Sequence, residues 1–157
     1  MKVEQATGIV VAIHIASTAE APMAAVQAVR AVGGKGLEGD RYFDERGTYS
    51  DVAEPGRQVT LIESEAIEEA SRDAGIEFLS SDSRRNIVSR NVRLNDLVGR
   101  EFRVGEVTLR GVDLCEPCSH MIALSGKRVL RSLVHRGGLR ADIVVGGTIR
   151  VGDRVMT

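Results

Sequence analysis

Gly99-Arg100-Glu101-Phe102-Arg103-Val104-Gly105-Glu106-Val107-Thr108-Leu109-Arg110-Gly111-Val112 alternates apolar and polar residues in two runs, with Gly105-Glu106 between them. Alternation with period two marks strands that bury one face, and a short glycine step between two such runs marks a tight turn. The same pattern extends outward in both directions. Upstream, residues 8–16 read as a buried strand, and Val26 to Val32 as a second with Val29 and Ala31 on one face. Gln58-Val59-Thr60-Leu61-Ile62 and the short Asn86-Ile87-Val88 add two more. Downstream, Asp142 to Val145, Gly146-Gly147 and Thr148 to Val151 read as strand, turn, strand. Two helices interrupt the series. The first runs from Ser64, read as its cap, to Gly75, with Ala66, Ile67, Ala70 and Ala74 as the apolar stripe and Glu68 paired with Arg72. The second, 119–134, carries Ile122, Val129, Leu130 and Leu133 on one side. Short strands with frequent turns predict a mainly β (α+β) fold, a closed or partly open β-barrel decorated by two or three short helices.

The chain of 157 residues is read as one domain, 1–157. Its 17 Gly, 3% aromatics and absence of Trp point to many turns and an aliphatic core. The net charge of −1 hides an asymmetry: residues 1–83 hold 7 Lys/Arg against 15 Asp/Glu, whereas 84–157 hold 14 against 7. The basic half suits a small anionic ligand. It does not suit nucleic acid, because the arginines are dispersed and aromatics for base stacking are scarce. The apolar run 8–16 is too short to span a bilayer, is interrupted by His14 and lacks a cleavage site, so a cytoplasmic protein without a membrane segment is expected. Gly34-x-Gly36-x-x-Gly39 matches a dinucleotide fingerprint, but no amphipathic helix follows to receive a pyrophosphate, and Lys35 is followed by glycine, which excludes a P-loop.

Chemistry concentrates in Leu114-Cys115-Glu116-Pro117-Cys118-Ser119-His120 and His135-Arg136-Gly137-Gly138-Leu139-Arg140. These segments hold both cysteines and two of the three histidines. A disulfide between residues three apart closes almost no loop, so both are read as thiols. The apolar-periodic run after Pro117-Cys118 places Cys118 where a loop becomes a helix, a position that favours the thiolate. Cys118 is then a nucleophile or soft-metal ligand; the alternative is a small buried hydrophobe. Cys115, Cys118, His120 and His135 also form a possible zinc set, although a second compact ligand pair is missing. A thioredoxin-like role is disfavoured because the C-x-x-C follows β-hairpins. The His135–Arg140 segment reads either as a helix C-terminus with a glycine cap or as an anion site, in which Arg136, Arg140 and the N–H groups of Gly137 and Gly138 hold a phosphate. Arg84-Arg85-Asn86 reads as a solvated loop or as part of the same site. His14 reads as a core or edge histidine.

Taken in order, several pieces resemble a MOSC domain, the module named for the C-terminal part of molybdenum-cofactor sulfurase. They are Gly36-Leu37-Glu38-Gly39-Asp40-Arg41, residues 58–62, Arg85-Asn86-Ile87, Leu97-Val98-Gly99 with Phe102 and Gly105, Cys115-Glu116-Pro117-Cys118, residues 135–141, and Gly146-Gly147 with Gly152-Asp153. The resemblance implies a barrel similar to the small barrel domain of pyruvate kinase. It also implies a key cysteine, carried over as Cys118 with Cys115 as a second thiol. That cysteine would ligate molybdenum in the pterin cofactor, or carry sulfur as a persulfide. Lys35, Arg85, Asn86, His135, Arg136, Gly137, Gly138 and Arg140 are the expected cofactor-binding set.

The expected function is that of a molybdenum-cofactor protein acting on N-hydroxylated compounds with an external electron donor. The alternatives are a persulfide carrier served by a cysteine desulfurase, and a non-catalytic or zinc-binding module. Pyridoxal phosphate belongs to an aminotransferase-like domain not expected here.

Overall fold

The computed structural model describes residues 7–43, 55–116 and 133–157. Seven strands close into a mixed β-barrel: β1 (Thr7–Ile15), β5 (Val59–Glu63), β6 (Ile87–Arg90), β7 (Glu101–Val104), β8 (Val107–Leu114), β9 (Leu139–Val145) and β11 (Arg154–Met156). The order around the wall is β11-β7-β8-β9-β5-β6-β1, and β1 returns to β11 with Thr7 opposite Met156. The β7–β8 hairpin turns at Gly105-Glu106, as the alternation requires, with Val104 opposite Val107. β5 and β6 are parallel. Parallel neighbours need a crossover, and α1 (Ser64–Ala74) with the 3₁₀ turn Ser80–Ser83 provides it.

A three-stranded sheet of β10 (Gly147–Arg150), β3 (Ala28–Val32) and β4 (Gly36–Leu37) adds to the barrel, and the short β2 (Ala24–Val26) pairs with β1. Val29, Ala31, Leu37 and Ile149 of the small sheet join Val10, Ile13, Leu61, Ile87, Leu109 and Leu139 in one core. A second core lies under α1, where Ala66, Ile67 and Ala70 meet Ile62, Phe78, Val88 and Leu133. Among the described residues no helix is long and apolar enough to cross a membrane.

Several local expectations need correction. β1 is not buried on both faces: a bulge between Val10 and Ala12 turns Val10 and Ile13 both inward and leaves Ile9 and Val11 outside. The strand predicted over 26–32 breaks at Gln27, because β2 pairs with β1 whereas β3 pairs with β10. The predicted hairpin at 142–151 does not form either. β9 stays in the barrel and β10 crosses to the small sheet, so Gly146-Gly147 switches sheets instead of closing a turn. Ser64 is the first residue of α1 and not its cap; Glu63 holds that position without a side-chain cap. Glu68 pairs with Arg90 of β6 at 2.9 Å and not with Arg72, since strand β6 offers a nearer cation. Gly75 ends α1 in a left-handed conformation, as expected. The described residues hold one α-helix and two 3₁₀ turns, Ser80–Ser83 and Leu94–Leu97. The predicted helix 119–134 lies outside the described residues up to residue 132.

Candidate functional site

Arg85 organises one end of the barrel. It follows the 3₁₀ turn Ser80–Ser83, precedes β6 and is only 7% exposed. Its Nε donates to the Gly137 carbonyl at 2.7 Å, and its Nη2 donates to the carbonyls of Cys115 at 3.1 Å and Glu116 at 3.2 Å. The Cys115 N–H completes the stitch by donating to the Gly138 carbonyl at 2.7 Å. A guanidinium offers several donors in a fixed plane, so one side chain holds two chain segments that each present carbonyls. The thiol segment leaving β8 and the glycine turn entering β9 are thereby brought together. Gly138 makes the approach possible: its φ is 117°, and a Cβ there would lie 2.2 Å from the Leu61 carbonyl oxygen.

His135 sits on this rim in a left-handed backbone conformation, φ 61°. Its N–H donates to Glu116 Oε1 at 2.8 Å, its ring Nδ1 lies 3.0 Å from Glu116 Oε2, and its carbonyl accepts from Asn95 Nδ2 at 2.8 Å. Arg136 pairs with Glu69 of α1 and lies 4.0 Å from Glu63. Burial pushes the Glu63 carboxyl above the usual carboxylate range, against the Leu94 N–H and the Arg136 charge, which pull it down. Arg140 reaches Asp113 at 3.3 Å. The arginines of the expected cradle are thus already engaged, Arg85 by carbonyls and Arg136 and Arg140 by carboxylates.

The remaining expected residues fall as follows. Gly137 and Gly138 are buried, and their carbonyls accept from Arg85 and Cys115, so the glycine pair serves packing here. Asn86 is 1% exposed and committed to the barrel wall: its Oδ1 accepts from Thr60 N–H at 3.1 Å and its Nδ2 donates to the His14 carbonyl at 3.1 Å. Lys35 is not part of the cluster. It lies in the β3–β4 turn, over the Phe43 ring, beside the Ile143 end of β9, whereas the thiol rim lies at the Leu139 end.

Arg84 is no solvated loop residue. Its buried guanidinium donates to the carbonyls of Ala19 and Ala21, beside the buried pair of Asp40 and Arg41. His14 is a core histidine, with Nε2 3.0 Å from Ser80 Oγ and a ring whose basicity burial depresses. Cys115 is half-buried and free. Cys118 and His120 lie outside the described residues, and among those described no group of three His, Cys, Asp or Glu side chains is placed to hold a metal. Glu116 and Asn95 escaped the sequence reading. Glu116 stands inside the C-E-P-C segment, but nothing in its spacing signals His135 as partner, and Asn95 carries no signal at all.

The described residues thus form a seven-stranded mixed β-barrel whose rim joins the Cys115 segment to the glycine turn through one arginine. The MOSC domain model matches residues 44–156, and the chain belongs to that family. Among solved structures, the fold is similar to the YuaD protein from Bacillus subtilis, with a TM-score of 0.80 and 16% identity, covering 98% of this chain and 96% of that one. YiiM from Geobacillus stearothermophilus superposes with a TM-score of 0.67 at 16% identity, covering 96% of this chain and 75% of that one. YiiM from Escherichia coli gives 0.66 at 12% identity, with coverages of 99% and 70%. No curated protein matches by sequence.

Proposed function

We propose that this MOSC protein binds a molybdenum-pterin cofactor at the rim between Cys115 and Gly138 and acts with an external electron donor on N-hydroxylated compounds. The observation that carries the reading is the Arg85 clamp, which joins the thiol segment and the His-Arg-Gly-Gly turn into one rim. The donor set fits in kind: a soft thiol for the metal, and Arg136 and Arg140 as cations for a phosphate. Both arginines are held by solvent-exposed carboxylates, Glu69 and Asp113. Such pairs are worth little, so a doubly charged phosphate can compete for them. Cys118 is the proposed metal-ligating thiol, with Cys115 beside it in sequence. When bound, the group supplies a two-electron redox centre. The chain's part is to hold it, through Arg85 fixing the thiol segment and through the rim cations meeting its phosphate.

One observation favours a second reading, the persulfide carrier. Because the described cations already have partners, a role that needs only the thiols makes no demand on them. In that reading Cys118 accepts sulfur from a cysteine desulfurase and Cys115 resolves the persulfide.

The two separate on elemental content. Protein purified anaerobically from a host that makes the cofactor is expected to hold near-stoichiometric molybdenum, lost in Cys118→Ala. Labile sulfane sulfur without molybdenum would instead select the carrier.

A further inference from the structure

The basic second half of the chain, with 14 Lys/Arg against 7 Asp/Glu over 84–157, supplies most of one stretch of the outer barrel wall. Met156 of β11 stands opposite Thr7 of β1 and Arg103 of β7, and Arg103 in turn stands opposite Thr108 of β8. The next row sets Arg90 of β6, Ile9 of β1 and Arg154 of β11 side by side. Val10, Phe102, Val104, Leu109 and Val155 of these strands fill the core, so the two rows face outward. Ile9, Val11 and Met156 are 38–40% exposed and form an apolar ridge on adjacent strands. A cavity of about 400 Å³ opens beside it, lined in part by Glu101, Arg103, Thr108 and Met156.

The charges on this wall do not cancel. Glu101 is paired with Arg110 at 2.9 Å, Arg90 with Glu68 at 2.9 Å, and Asp153 accepts the Arg150 N–H at 2.8 Å. Arg103 and Arg154 are exposed and make no ion pair among the described residues, so the surplus is positive. Apolar side chains and arginines grouped together are the composition of a protein interface. A second copy across a two-fold axis would bring the like-charged patch onto itself, whereas an acidic partner complements it. Nucleic acid is disfavoured, since none of the outward residues is aromatic. We infer that this wall is the docking face for an acidic redox protein, the external electron donor of the proposed reduction. The inference deepens that reading and rests on it. In each turnover the partner gives two electrons, which with two protons convert R–NHOH to R–NH2 and water.

The test has two arms, both on the full chain, with plant-type ferredoxin, a small acidic one-electron carrier, as the probe. In calorimetric titration at low salt, ferredoxin is expected to bind wild type. It should bind Arg103→Glu/Arg154→Glu at least about tenfold more weakly, with Arg103→Gln/Arg154→Gln in between. Added salt should weaken wild-type binding more than that of the charge-reversed pair. In the second arm, cofactor-loaded protein reduces 6-hydroxylaminopurine. Charge reversal is expected to raise the KM for ferredoxin about tenfold, while turnover with reduced methyl viologen, which needs no docking, keeps the wild-type rate. No binding of ferredoxin to wild type, or equal binding by wild type and the reversed pair, overturns the docking face alone. So does binding to phosphatidylglycerol vesicles that the reversal abolishes, which gives the wall to a lipid surface, or a wild-type dimer that the reversal dissociates. A loaded wild type that leaves the compound untouched by methyl viologen overturns the reductase reading, and the docking face falls with it.

Discussion

At the scale of single residues, close approach of backbone to backbone decides what the rim tolerates. Gly138 passes so near Leu61 that a methyl group would meet the carbonyl oxygen at 2.2 Å, at a φ of 117°. Gly138→Ala is therefore expected to destabilise the fold by about 2–4 kcal/mol, combining overpacking with backbone strain. Urea denaturation monitored by circular dichroism measures it; a midpoint equal to wild type would mean that β9 enters the barrel along another path. The glycine was legible as a special position in sequence, as a helix cap or as part of an anion site. Its actual constraint comes from a carbonyl on a strand 77 positions away in the chain, which no local pattern carries.

At the scale of elements, Arg85 ties the end of β8 to the start of β9. Arg85→Gln leaves up to three carbonyls without their guanidinium donor, and unpaired buried polar groups cost about 1–3 kcal/mol each. Most of that loss is expected locally. Amide exchange at Cys115, whose N–H donates to Gly138, should quicken by at least about tenfold, while exchange in the distant β7–β8 hairpin stays at the wild-type rate. Equal acceleration everywhere would show the arginine holding the whole barrel and not the rim. α1 was legible almost residue by residue, because its stripe of Ala66, Ile67 and Ala70 and its stop at Gly75 are local. Its charge partners were not, since Glu68 and Glu69 reach Arg90 and Arg136 on other elements.

At the scale of the whole molecule, the second core and the barrel share the wall formed by β1, β5 and β6, and His14 lies in that wall against Ser80. Burial lowers its pKa below the ordinary 6.5. The unfolded chain then binds the proton more readily than the folded one between the depressed value and 6.5. Stability from this group is complete above pH 6.5 and declines as the pH falls through that window. Urea midpoints measured from pH 8 to 5 are expected to drop for wild type and to drop less for His14→Gln; identical slopes would remove His14 from the account.

By itself the sequence determined the strand grammar, the first helix with its stop, the hairpin at Gly105-Glu106, the thiols and the ordered motifs of a MOSC barrel. These follow from periodicity and from turn residues, which act over a few positions. Tertiary structure alone decided which strands pair beyond that hairpin, that β9 and β10 part into different sheets, and that the rim arginines are engaged within the protein. It alone set Glu116 and Asn95 around His135. The physical reason is common to all of these. Burial, close backbone contact and ion pairing depend on what lies opposite a residue in space, and in a closed barrel that neighbour is commonly far away along the chain.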